Sequence, residues 1–203
     1  RLLPAVRLKR SRYPGDVFVQ SHGPTLTSHA VRRQCLLHGR DRTGTNASMS
    51  KSLKRVRAAL EAAGTDTEIR ETPLARIAAD AANAIGCEID QIAKSIIFLG
   101  EDSGALVLFI TAGGNQVDPA KATQLAGEPL GKADAAVIRA QTGFAIGGVS
   151  PVGHLSPITA FLDPRLTEFP VVWAAAGTPH HVFRANPHDL AKISGAQVSE
   201  FTT

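Results

Sequence analysis

The sequence predicts an α/β or α+β fold built on a mixed or antiparallel sheet, not a doubly wound parallel one. Three observations carry this. Helical and strand patterns are interleaved from residue 49 to residue 203. Several strand pairs are separated only by short hairpin-type turns. The apolar fraction of 43% is enough for the core of one domain of this length.

Residues 50–63 read as an amphipathic helix, with Leu53, Val56 and Leu60 on one face and Lys51, Lys54, Arg55 and Arg57 on the other. Ser50 or Ser52 supplies its N-cap and Gly64 the left-handed residue after its last turn. The basic face reads as solvated surface. Residues 67–72 alternate like a short strand that Pro73 ends. Residues 74–85 carry six alanines and read as a helix able to lie close against a sheet, stopped by Gly86. Residues 94–99 are apolar and β-branched, as in a buried strand; 101–104 is a turn and 105–111 the hairpin partner. Asp118 and Pro119 open a helix over 120–125. Residues 134–142 look helical and deliver the chain to a glycine-rich stretch that ends at His154. Strands follow over 158–162 and 171–176. Gly177-Thr178-Pro179-His180 is a turn into a strand over 181–184. A helix over 187–193, capped by Asn186, ends near Gly195, and 198–202 reads as a last edge strand.

The charge is unevenly spread. Residues 1–48 hold nine Lys and Arg against two acids, a net +7, whereas the remaining 155 residues hold 13 against 16, a net −3. The basicity therefore belongs to the first quarter of the chain, and the overall pI says little about the rest. Residues 1–48 show no sustained period and no apolar signal core. Met49 is the only methionine, and Met49-Ser50-Lys51-Ser52 reads like a protein start. The expectation is a disordered or non-native extension over 1–48 and one domain over 49–203; a basic arm that touches RNA is the alternative. Cys35 and Cys87 are far apart and fit no metal spacing, which suits a reducing compartment. No run of about 18 apolar residues suggests a membrane span.

Two features carry chemistry. Gly143, Gly147, Gly148 and Gly153, with Ser150 and Pro151, form a loop whose rigid N–H groups suit an oxyanion, a carbonyl or a phosphate. Lys94 stands at the head of an apolar strand, where an ammonium is costly unless it faces a cleft or a partner. No Gly-x-Ser-x-Gly elbow, Walker loop or His-Glu-x-x-His occurs. His180 and His181 are adjacent in a turn, so one of them can face a pocket but the two do not form a metal pair. Cys87 reads as a small buried residue rather than a nucleophile.

Ala78-Ala79-Asp80-Ala81-Ala82, Lys94-Ser95, Val117-Asp118-Pro119-Ala120-Lys121, Gly147-Gly148-Val149-Ser150-Pro151-Val152-Gly153 and Trp173-Ala174-Ala175-Ala176-Gly177 occur in an order and spacing that resemble the YbaK/prolyl-tRNA-synthetase-associated editing domain family. The resemblance runs over essentially all of 49–203. It implies a barrel-like mixed sheet flanked by helices, and trans-editing hydrolysis of mischarged aminoacyl-tRNA, with tRNA(Pro) among the candidate tRNAs. Lys94 maps to the family's essential strand lysine and Ser95 to its neighbouring hydroxyl position. The Gly-x-x-x-Pro loop maps to Gly147, Gly148, Val149, Ser150 and Pro151. Gly177, Thr178, Pro179, His180 and His181 map to the pocket lining after the Trp-containing strand. Some members have Gly-Lys/Arg-Arg-Gly there, a departure that bears on amino-acid specificity and not on fold.

On this resemblance the amides of Gly148, Val149 and Ser150 receive the oxyanion or hold the aminoacyl carbonyl. Lys94 anchors the terminal ribose or carbonyl, and a substrate hydroxyl helps water attack. The implied partner is the aminoacylated 3′ end of tRNA, with an aminoacyl-tRNA synthetase as a further candidate. No cofactor, metal or membrane is implied, and the setting is cytoplasmic. Two rival readings are a module that binds the tRNA acceptor end or aminoacyl group without cleaving it, and a small-acyl ester or amide hydrolase.

Overall fold

The computed structural model describes residues 49–203 except Asp66 and Arg76, so the expectations for 1–48 lie outside the described residues. The described chain runs α1 (Lys51–Ala62), β1 (Ile69–Glu71), α2 (Ala78–Ile85), β2 (Ile92–Gly100), β3 (Leu106–Ala112), α3 (Pro119–Ala126), β4 (Leu130–Lys132), α4 (Ala135–Thr142), β5 (Thr159–Leu162), β6 (Val172–Thr178), β7 (His181–Ala185), α5 (Pro187–Ser194) and β8 (Gln197–Val198). The eight strands form one sheet in the order β1-β7-β6-β2-β3-β5-β8, with β4 attached to β2 off that path. The pairs β2–β6, β3–β5 and β5–β8 are parallel and the others antiparallel. The sheet is mixed and flanked by helices, as expected.

Local chemistry places the elements. Ser50 Oγ accepts from the Leu53 N–H at 3.1 Å and starts α1, whose Leu53, Val56 and Leu60 are buried against β6 and the core. Asp118 caps α3 with Pro119 at its first position, and Asn186 does the same for α5 before Pro187. All seven residues of β3 are buried. On one face Leu106, Leu108 and Ile110 join the main core with α1 and β6. On the other, Phe109 packs against Phe161 at 5.3 Å and Phe201 at 4.9 Å, over α3. Each such fully buried side chain contributes about 1.5–3 kcal/mol.

Four element boundaries differ from expectation. α2 starts at Ala78, not at residue 74. The Thr72 N–H donates to the His180 carbonyl, so the chain leaves β1 still tied to the β6–β7 turn, and Leu74 and Ile77 are exposed. β4 was not expected: Leu130-Gly131-Lys132 has no alternation and is a strand only because the end of β2 offers it an edge. β6 continues through Gly177 to Thr178, with a register shift between Ala175 and Thr178. β8 is confined to Gln197–Val198, and Thr202 instead forms an isolated bridge with Val117. No described helix is long and apolar enough to cross a membrane.

Candidate active site

A cleft of about 690 Å³ opens beside β2. Its walls are mostly alanine and isoleucine from α2, β2, β6 and the glycine loop. Among the described residues, the polar side chains that line it are Lys94, Ser95, Lys132, Thr72, Thr178 and His181, and none is acidic. Six consecutive residues of β2, 92–97, line it. Alternate side chains of a strand face opposite sides of a sheet, so such a run requires that the edge of the strand be open. The pairing explains the opening. β6 pairs with β2 only at Ile92 and Ala93, and β4 only from Phe98 to Gly100. Between them β2 has a neighbour on its β3 edge alone.

Lys94 is half-buried at the start of this gap, and its Nζ donates to the Asn115 carbonyl at 2.6 Å. Burial pushes the ammonium below its ordinary range, while the nearby Asp163 and Asp90 carboxylates oppose the shift. Asp163 is the hub behind it. This carboxylate is 1% exposed and accepts from the Ala112 N–H at 3.0 Å, Asn115 Nδ2 at 2.9 Å and the Arg165 N–H at 3.0 Å. Arg165 Nε in turn donates to Asp90 at 3.0 Å, and Asp90 accepts from the Gly114 N–H at 2.9 Å. Three donors stabilise a carboxylate that burial would otherwise penalise, and the loop so fixed presents the Asn115 carbonyl to Lys94.

The glycine loop is pinned from α1. Arg55 donates through one Nη to the Gly143 carbonyl at 2.7 Å and through Nε to the Gly153 carbonyl at 3.2 Å, and lies 4.9 Å from the centre of the Phe144 ring. Gly143 has φ +76°, and a Cβ there would fall 2.4 Å from the guanidinium. The residue is thus glycine on both conformational and steric grounds. His154 Nε2 lies 2.7 Å from the Ser150 carbonyl, which can only accept, so Nε2 carries the proton. Burial holds the His154 ring below its ordinary pKa. Across the cleft Thr178 Oγ1 and His181 Nδ1 share a hydrogen bond of 2.7 Å, which fixes the imidazole.

Of the residues expected at the site, Lys94, Ser95, Gly147, Val149, Thr178, Pro179 and His181 line the one cleft, and Gly148, Ser150, Pro151, Gly177 and His180 do not. The Gly148 N–H donates to the Ala145 carbonyl at 3.1 Å, and its Cα packs on the backbone of Thr178 and Pro179. Ser150 is fully buried, and its Oγ accepts from the Val152 N–H at 3.3 Å, so the hydroxyl holds the loop's shape. Among the described residues the Val149 and Ser150 N–H groups have no acceptor. Gly177 has φ +87°, and a Cβ there would fall 3.0 Å from Ser52 and from the Phe144 ring. His180 is exposed, and His181 reaches the cleft in its place because the bulge in β6 sets the phase of the turn. Asp163, Asn115, Arg55 and His154 were missed. An Asp-Pro pair closing an apolar strand was the one available signal, for Asp163.

Three kinds of comparison place the chain among known proteins. The family model described as the aminoacyl-tRNA editing domain matches residues 72–193. The uncharacterised protein YwhH of Bacillus subtilis is 32% identical over 118 residues, 58% of this chain and 74% of YwhH. EbsC of Enterococcus faecalis, a candidate Cys-tRNA(Pro)/Cys-tRNA(Cys) deacylase, is 25% identical over 126 residues, 60% of this chain and 74% of EbsC. A crystal structure of a candidate trans-editing enzyme for prolyl tRNA synthetase superposes with a TM-score of 0.71 at 47% identity, covering 77% of this chain and 99% of that one.

Proposed function

This chain belongs to the aminoacyl-tRNA editing domain family, and from that premise we propose that it hydrolyses the ester of mischarged aminoacyl-tRNA in trans. The observation that supports this most directly is that Lys94, Gly147, Val149 and the Thr178–His181 pair line one mostly apolar cleft. An ammonium, an unengaged loop amide and an oriented imidazole then surround one small substrate group. In this reading the 3′-terminal adenosine enters with its acyl group. Lys94, held on the Asn115 carbonyl, directs its remaining N–H bonds at the ribose. Water attacks the ester carbon, and the oxyanion forms against the Val149 amide. The bond to the ribose oxygen breaks, that oxygen takes up a proton, and the amino acid leaves the free tRNA. His181, fixed by Thr178, is placed to hand protons between water and the leaving oxygen, alone or with the neighbouring ribose hydroxyl. The residue set takes His181 rather than His180 from the expected pocket lining and assigns Gly148 and Ser150 to loop geometry. A tRNA(Pro) substrate and delivery by a synthetase belong to the same proposal, supported by the relatives' described roles.

The test is a panel of tRNAs, each charged with a labelled amino acid. The wild-type protein is expected to release label from at least one mischarged species. Lys94→Ala should lower that rate by about a hundredfold or more, the scale of one lost transition-state donor, with an unchanged circular dichroism spectrum. Unaltered turnover by this variant would overturn the assignment.

A further inference from the structure

We propose that the open edge of β2 recognises the aminoacyl group through main-chain atoms, with the carbonyl oxygen of Ser95 accepting from a free α-amino group. The inference rests on the deacylase reading and adds the requirement that the amino group be unblocked.

The pairing of β2 fixes which groups face the gap. In an antiparallel pair, residues alternate between those whose N–H and C=O both face the partner and those whose groups both face away. The Gly100 N–H donates to the Ala105 carbonyl, so Gly100 faces β3. The Ile110 carbonyl accepts from the Asp163 N–H, on the β5 side, so Ile110 faces away from β2. Both observations give one phase along the ladder. Lys94, Ile96 and Phe98 bond to β3, while Ala93, Ser95, Ile97 and Leu99 turn to the other edge. Ala93 meets β6 there and Leu99 meets β4. Ser95 meets no strand, and no described residue bonds to its main-chain groups. The Phe98–Lys132 pairing sets the Ile97 carbonyl opposite the Ala133 N–H, so Ile97 is turned to the end of β4. Ser95 therefore offers its carbonyl and its N–H inside the cleft.

A second feature points the same way. With no carboxylate among the described residues that line the cleft, an amine entering it finds carbonyl oxygens as its acceptors. Such an oxygen accepts from an amine whether the amine is charged or neutral. An amino acid laid along the edge as a one-residue strand shares a sheet face with the residue opposite. Its side chain then lies on the face of Ser95 and Ile97, towards Ala133, Ile138 and Val149, away from Lys94. The amine, the side chain and the ribose are thus recognised by three separate groups.

The experiment uses one tRNA and the full chain, with the amino acid that is hydrolysed fastest in the panel above. The tRNA is charged with that amino acid, with its des-amino acyl analogue and with its N-acetyl derivative. The two altered esters should be hydrolysed at least about tenfold more slowly, the scale of one lost hydrogen bond. Equal rates for all three would overturn the proposal and leave the deacylase reading standing; no hydrolysis of any aminoacyl-tRNA would instead remove that reading. A second measurement places the contact. In the 15N-labelled protein, a non-hydrolysable 3′-aminoacylamino-adenosine should shift the amide signal of Ile96, whose N–H group shares a peptide unit with the Ser95 carbonyl. Its des-amino counterpart should shift it less. Identical shifts with the two compounds would also overturn the proposal.

Discussion

Arg55 joins two carbonyls ten residues apart, and the span between them is the glycine loop. A guanidinium can do this because its donors lie in a rigid fork; an ammonium acts as a single point. Arg55→Ala should therefore cost about 1.5–3 kcal/mol of stability and reduce deacylation, and Arg55→Lys should restore little of either. Thermal unfolding and single-turnover rates check both. His154 supplies a pH dependence. Its folded pKa lies below the ordinary 6.5 because burial disfavours the imidazolium. Above pH 6.5 the ring is neutral in both states and adds no pH term. As pH falls from 6.5 towards the folded pKa, the unfolded chain takes up a proton that the folded one refuses, and stability drops. Denaturant titrations of the wild type and of His154→Gln should diverge in slope over that window, with the variant flatter. Neither residue was legible in the sequence. Arg55 sits on the helix face that also carries Lys51, Lys54 and Arg57, which are exposed. Only the missing side chains at Gly143 and Gly153 admit it to the loop. Lys94 was singled out because an ammonium in an apolar run is costly unless it faces a cleft or a partner, and because it matches the family's strand lysine; it lines the cleft.

Among the elements, the glycine loop and β2 carry the most. Gly147 and Gly148 look equivalent in sequence and differ in the fold. Gly147 has φ +89° with open space around its Cα, so Gly147→Ala meets only conformational strain, about 1–2 kcal/mol. A Cβ on Gly148 would fall 2.7 Å from the backbone of Thr178, which cannot swing aside as a side chain would. Gly148→Ala should push the loop off the β6–β7 turn and lower turnover well beyond Gly147→Ala, as parallel deacylation assays of the two folded variants would reveal. The helices were readable because their caps are local: Ser50, Asp118 and Asn186 sit within three residues of the N–H groups they satisfy. β4 was not, since no three-residue pattern predicts a strand that exists only by virtue of its neighbour. The gap in β2 was invisible for the same reason: it is defined by where β4 and β6 stop.

At the scale of the molecule, residues 49–203 carry a net −3, and cations drive phosphate binding. The cleft itself presents Lys94 and Lys132. Recognition centred on the acyl-adenosine end follows. An acylated minihelix should then be hydrolysed with a kcat/KM within about tenfold of that for the whole tRNA. A far larger gap would mean that the body of the tRNA is also gripped. The proposed reaction needs no such grip, because its bond-breaking atoms all lie within the terminal nucleotide.

The parallel contact of β2 with β6 joins segments some eighty residues apart, Ile92 with Trp173 and Ala93 with Ala174. Parallel, long-range pairing of this kind forms late in folding, after costly loop closure. During synthesis the ribosome therefore releases β2 and its hairpin mate well before the strand that walls the cleft. Until β6 and β7 emerge, a nascent chain already holding Lys94 lacks one wall of the cleft, and a polypeptide cut short before residue 172 should show none of the proposed deacylation.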